Sequence, residues 1–403
     1  MADFAHALEQ QLELPCGAVL RNRLAKCAMS DSLADGEGNP TTAQIRLYQR
    51  WAEGGIGLSI VGEVQGDPRF PEKPGNLVLD EHSNNDLLRT LTRRATGNGA
   101  HLWPQLGHAG ALAHTPISQP MGPSAIAIER LQCGGMSLLD IQALPSIYAN
   151  AALHAKTVGF TGLQIHAGHG FLLSQFLSPL FNRRRDDYGG DIQGRGRIVL
   201  EIIDEVRNAV GRSFPVGIRV NSSDKLEGGL TETDALEFLR MLDKTSLDLI
   251  DISGGTYFPG ARSASDDTAG GPYFLRFAEC ARAITSLPLM VSGGFKIRQQ
   301  AIDAVASDVA DLVGLGRGMV LDPKLADHWL DGKAGDPGYD PAFPRFASSP
   351  PPGGITAWYT LRMAALGEDR ERAFDLDPGV ALKIYEERDA ARCVKWRKRF
   401  AEQ

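Results

Sequence analysis

Cysteine is scarce in this chain: five residues, at 16, 27, 133, 280 and 393, odd in number, far apart and without CxxC spacing. That pattern argues against zinc ribbons and iron–sulfur clusters, and reads as free thiols in a reducing compartment. No apolar run approaches the ~18 residues of a membrane span, so no membrane partner is expected. The opening MADFAHALEQQLELPCG has neither a basic region nor an apolar core, so no signal peptide is expected and the reading is cytoplasmic. Positive charge is not in excess either. The 42 Lys+Arg against 49 Asp+Glu leave −7, which removes any general attraction to nucleic acid or anionic membrane. The one basic stretch, RCVKWRKRF at 392–400, reads as a solvated or packed helix face, with a phosphate-facing role as the alternative.

What is present is an ordinary globular composition, 43% hydrophobic and 23% charged over 403 residues, ample for a large core. Short apolar runs alternate with amphipathic stretches from about residue 20 to 330. The expected strands are 24–29, 57–62, 100–104, 162–166, 216–221, 248–252, 287–291 and 311–315; the helices are 43–54, 84–97, 145–158, 192–210, 231–244, 272–285 and 297–306. Eight β units separated by helices predict an α/β fold, a parallel (β/α)8 TIM barrel over 1–330. Residues 331–403 are expected to add a Pro/Gly-rich connection and a C-terminal helical extension at 357–402. Three connections, 106–139, 168–190 and 254–271, are too long for plain turns and follow strands, so they belong at the face where barrels place active sites.

Nearly every expected strand ends in a polar residue or glycine: Ser30, Glu63, Gln105, His166/His169, Arg219, Ser253, Ser292-Gly293-Gly294 and Gly314–Arg317. VSGGF (291–295) and VGLGRGM (313–319) follow strands seven and eight, where backbone N–H groups and a helix N-terminus hold phosphate, with Arg317 adding charge. The bland alternative is that these glycines only make tight turns. His166 and His169, three apart on a strand-to-loop turn, lack the i, i+4 spacing of helical metal motifs and a nearby third ligand, so no metal is expected. Two imidazoles can instead donate to one oxygen and stabilise charge developing there. A structural histidine remains open for either one alone.

At these residues the chain resembles the Old Yellow Enzyme family of FMN-dependent ene-reductases, from about residue 10 to 330. The segments that carry the resemblance are RNRLAKCAMS (21–30), GGIGLSIVGEV (54–64), PQLGHAG (104–110), GFTGLQIHAGHGFLLSQFLSPLFNRRRDDYGG (159–190), GIRVN (217–221) and LVGLGRGMVLDP (312–323). The resemblance implies an FMN cradle of Ala28, Met29, Ser30, Gly62, Gln105, Arg219, Ser292, Gly293, Gly294, Gly316 and Arg317. Within it, Ser30 touches the flavin edge, Gln105 the pyrimidine side and Arg219 the N1/O2 edge, while the glycines and Arg317 hold the phosphate. His166 and His169 would grip the oxygen of an activated alkene: an enone, enal or nitroalkene. NADPH or NADH would give hydride to flavin N5, which passes it to the β-carbon, both substrates using one pocket. A homodimer or homotetramer is implied.

Phe171 stands where the family places a proton-donating tyrosine, and phenylalanine has no proton to give. Ala28 replaces a usual proline; Lys26 and Ala111 replace more common Met and Arg. Tyr188 and Tyr257 are candidate replacement donors, and Arg397 beside Trp396 is the nearest thing to the family's arginine-plus-tryptophan tail. The missing donor opens a second outcome, desaturation, aromatisation or double-bond isomerisation on the same FMN barrel. A third reading is a flavin-free barrel acting on a phosphorylated metabolite.

Overall fold

Eight parallel strands pair edge to edge and close on themselves in a computed structural model that describes residues 4–128, 131–258, 261, 271–331, 340–346 and 350–400. They are β1 (Leu24–Lys26), β2 (Leu58–Gln65), β3 (His101–Gly107), β4 (Leu163–Ala167), β5 (Val216–Asn221), β6 (Leu249–Ser253), β7 (Leu289–Ser292) and β8 (Leu312–Leu315). β1 pairs with both β2 and β8, which removes every free edge from the barrel. Each strand overlaps its expected run.

The barrel interior is packed, not hollow. Ala25, Leu58, Ile60, Trp103, Leu249, Met290 and Leu312 fill it, and Leu12, Leu14 and Leu20 of an N-terminal hairpin join them at the strand starts. A second, larger apolar layer lies between strands and helices. The helix Ile192–Val210 shows why: Ile198, Val199, Ile202, Ile203, Val206 and Val210 share its inner face and are buried. Its start is fixed by the Asp191 carboxylate, which accepts from the Gly194 N–H. Each such aliphatic side chain contributes about 1.5–3 kcal/mol on burial.

Several elements differ from expectation. The helix expected at 145–158 runs from Leu138 to Thr157, because a capping box of Ser137 and Asp140 starts it earlier and Pro145 is accommodated inside. The connection 106–139 is not irregular: Met121–Gly122, Ile126–Ile128 and Leu131–Gly135 form a small sheet within it. Connection 168–190 carries a short helix, Leu172–Leu177, and most of 254–271 lies outside the described residues.

The C-terminal extension is two helices, Gly354–Gly367 and Pro378–Phe400. Its basic stretch packs on the barrel's own loops. Arg392 donates to the Ser32 carbonyl at 2.6 Å, Arg399 to His82 at 2.9 Å, and the buried Trp396 indole to Pro68 at 3.1 Å. The five cysteines are free, and among the described residues no helix is long and apolar enough to cross a membrane.

Candidate active site

Register sets the site. Across β4, β5 and β6, His166 pairs with Arg219 and Arg219 with Asp251, so three strands deliver three chemically active side chains at one level. Arg219 donates to Asp251 from Nε at 2.7 Å, to the Ser292 hydroxyl at 3.2 Å and to the Ala28 carbonyl at 3.4 Å. Ser292 in turn donates to Asp251 at 2.7 Å. Gln164 joins from β4, donating to Asp251 at 3.0 Å and accepting from Gln105 at 2.6 Å. Burial, the largest single influence, works against the Arg219 charge, but Asp251 and Cys27 together outweigh it and hold the guanidinium above its ordinary pKa. The expected lone cation is therefore half of a buried ion pair, and Asp251 is a residue the sequence reading missed.

The two histidines meet edge to face, ring centroids 5.2 Å apart. His169 sits in the left-handed region at φ 59°, where a non-glycine residue is uncommon and needs support. Support comes from Asn221, which accepts from the His169 N–H at 3.0 Å, and from a parallel bridge to Thr256. The Gly168 N–H donates to His166 Nδ1 at 3.2 Å, which leaves the proton of a neutral ring on Nε2. His169 Nε2 lies 2.9 Å from the Ser253 hydroxyl. Burial, aided by Arg219, pushes both imidazoles well below their usual pKa, so both are uncharged at neutral pH.

Glu63, one of the expected strand-end residues, has a partner that the sequence did not reveal. β2 carries an irregularity between Val61 and Val64, where two residues face one on β3; such bulges re-aim side chains. The result brings Glu63 Oε1 to 3.1 Å from His166 Nε2, both groups buried. Burial raises the Glu63 carboxyl to about 8, with Arg219 opposing. The contact at neutral pH is thus a hydrogen bond between uncharged groups.

The remaining strand ends form a cradle. Gly62 lies against Ala28 and Gln105: a Cβ there would stand 3.0 Å from the Ala28 Cβ and 3.2 Å from the Gln105 amide oxygen. Gly293 and Gly294 adopt φ of 115° and 88°, and a Cβ on Gly294 would collide with the Gly271 carbonyl oxygen. These glycines, with Gly316, Arg317 and Ser292, line a cavity of ≈ 220 Å³. A larger one of ≈ 890 Å³ opens beside it; Met29 and Arg317 line both. Open backbone beside an arginine suits a phosphate, and the Arg219–Asp251 network suits the polar edge of a planar heterocycle.

Ser30 lines the larger cavity and donates to the buried Glu72 at 2.5 Å. Phe171 packs with Phe70, Ala109 and Ala113, its ring centroid 5.1 Å from that of His166. Tyr188 is elsewhere: its hydroxyl donates to Glu201 at 3.0 Å.

Comparison with known proteins bears on the family and the fold. The sequence model of the NADH:flavin oxidoreductase / NADH oxidase family matches residues 16–334. The chain is 35% identical over 354 residues to NADH-dependent flavin oxidoreductase iliE of Neonectria sp. (strain DH2), covering 78% of this chain and 46% of that protein. It is 31% identical to the protein of the same name from Hypocrea jecorina (strain QM6a), covering 78% and 86%. Among solved structures, a 2-naphthoyl-CoA reductase complex superposes with a TM-score of 0.76 at 26% identity, covering 81% of this chain and 52% of that one. The chain thus spans about half the length of the Neonectria protein and of the 2-naphthoyl-CoA reductase.

Proposed function

The chain belongs to the NADH:flavin oxidoreductase / NADH oxidase family, and on that premise we propose that it uses NADH or NADPH to reduce an alkene conjugated to a carbonyl or nitro group. Bound FMN supplies the two-electron carrier between nicotinamide and alkene. This membership sets aside the flavin-free barrel.

The protein's own part is to bind, orient and hold charge. Gly293, Gly294, Gly316 and Arg317 hold the phosphate through backbone N–H groups and one guanidinium. Ala28, Met29 and Gly62 would bring backbone close to the ring system, Ser30 would meet its edge, and Gln105 would bind its pyrimidine side. Arg219, kept charged by Asp251 and braced by Ser292, stabilises negative charge on the adjacent edge. The observation that carries the reading is the pair of uncharged histidines, ring centroids 5.2 Å apart, with His166 buried and His169 on the wall of the smaller cavity. Neutral imidazoles donate to an oxygen without being drawn into salt bridges, and in a dry site such donors are worth about 10²–10³ in rate. Phe171 lends no proton and supplies an apolar wall.

The test is anaerobic. NADH or NADPH should bleach the flavin of the FMN-loaded protein, and cyclohexenone or a nitroalkene should restore its colour with formation of the saturated product. A flavin that is reduced but not reoxidised by any member of an enone, enal and nitroalkene panel would refute the reading. A product with more unsaturation, or a shifted double bond, would point to desaturation or isomerisation.

A further inference from the structure

With phenylalanine at 171, alkene reduction needs another group to deliver a proton beside the histidine pair. Tyr257 stands there. Its ring centroid lies 5.8 Å from that of His169 and 5.8 Å from that of Phe171, so it touches one of the two oxygen-holding histidines and the position that lacks a hydroxyl. It also lines the ≈ 890 Å³ cavity together with Met29 and Ser30.

The backbone holds it in that place. The Tyr257 N–H donates to the His169 carbonyl at 3.1 Å, and Thr256 bridges His169 in parallel. A Cβ on Gly170 would run into the Thr256 hydroxyl, so the two loops are pressed together by a residue with no side chain. Thr256 and Tyr257, at the start of the loop after β6, are thereby pinned to the loop after β4.

Four of the other tyrosines do not fit. Tyr188 is committed to Glu201. Tyr148 is sealed within the large core layer. Tyr359 and Tyr385 line the far wall of the cavity from the C-terminal helices, Tyr359 lying under Arg317. Tyr257, by contrast, is 69% exposed, so it can recover a proton from solvent.

We propose that Tyr257 is the proton donor to the α-carbon of the alkene, replacing the hydroxyl that Phe171 lacks; the assignment rests on the alkene-reductase reading. The step balances. Hydride derived from NAD(P)H forms the new C–H bond at the β-carbon, and the alkene π pair shifts to give an enolate whose oxygen His166 and His169 hold. The phenol O–H bond breaks, its proton forms the C–H bond at the α-carbon, and the tyrosinate takes a proton from water. The surrounding protein, with Glu72 and Glu63 nearby, pushes the Tyr257 phenol up to about 12, so it carries that proton at neutral pH.

The experiment uses FMN-loaded protein and 2-methylcyclohexenone in D2O. Wild type should place deuterium on one face of the α-carbon. Tyr257→Phe should slow flavin reoxidation by about 10²-fold, the usual worth of a positioned general acid, and scramble the α-deuterium between faces. Its unfolding midpoint should match wild type, since the side chain is largely exposed; a merely structural role would lower the midpoint and leave the stereochemistry intact. Phe171→Tyr in the Tyr257→Phe background should restore one-face labelling. Wild type active on alkenes, with Tyr257→Phe keeping both rate and one-face labelling, overturns the tyrosine assignment alone. Wild type inert toward every alkene overturns the alkene-reductase reading and the assignment with it.

Discussion

Glu63 Oε1 lies 3.1 Å from His166 Nε2, a carboxyl and an imidazole both buried at the level where the alkene oxygen would be held. With His166 Nδ1 already accepting from Gly168, the Nε2 proton is the one an incoming oxygen must share with Glu63.

The state of Glu63 therefore governs the site's charge. Below about 8 it is uncharged; above that it becomes an anion beside an oxygen that gains negative charge. Flavin reoxidation by an enone should fall as pH rises through about 8, and Glu63→Gln should flatten that limb. The carboxyl of Glu72, also raised by burial, remains in the variant, so a surviving limb would assign the titration to it.

The same group bears on stability. Its folded pKa, about 8, exceeds the unfolded 4.5, so folding favours the protonated form. That contribution is complete below the unfolded value and is lost as pH rises through the folded one. In apoprotein, Glu63→Gln should leave the unfolding free energy unchanged near pH 4 and raise it at pH 9 by on the order of 2–4 kcal/mol. Urea melts at the two pH values check this.

Lys26 has the opposite sign. It is fully buried, donates to the Cys27 carbonyl at 2.8 Å and lies 4.5 Å over the Trp51 ring, yet burial lowers its pKa from 10.5 to about 8. A depressed base contributes stability that is present above its unfolded pKa and lost as pH falls through the folded one. Lys26→Met should therefore stabilise the protein near pH 7 by about 2–3 kcal/mol, and by less near pH 10.5.

Asp251→Asn leaves Arg219 charged and buried without its counterion. Breaking such a pair costs about 3–5 kcal/mol. The unbalanced cation should also raise the reduction potential of bound FMN, measured against a reference dye; an unchanged potential would place the pair away from the flavin.

Gly294→Ala puts a Cβ onto the Gly271 carbonyl at φ 88°. The left-handed conformation alone costs an alanine about 1–2 kcal/mol. FMN retention, followed by the fluorescence of released flavin, should weaken about 10-fold or more, with the unfolding midpoint moving by only a few degrees.

Much of this was legible in the residues. Strand runs of apolar residues ending in Ser30, Gln105, His166, Arg219 and Ser292 placed the barrel and its working face, because closure brings strand ends together whatever the loops do. Two partners escaped. Asp251 sits inside an apolar run, where a lone acid carries no signal until register places it beside Arg219. Glu63 ends a run as a polar residue, but only the irregularity in β2 aims it at His166. The helix start at Leu138 was hidden by Pro145, which reads locally as a beginning.

The match to the family's sequence model ends at residue 334, yet Ile355, Tyr359, Leu382, Tyr385 and Arg397 build one side of the larger cavity. On the alkene-reductase reading, that cavity joins two kinds of wall: Met29, Ser30 and Arg317 from the strand ends, and the C-terminal helices. Drift along Gly354–Gly367 and Pro378–Phe400 would then re-tailor which molecule enters while leaving the strand-end residues untouched.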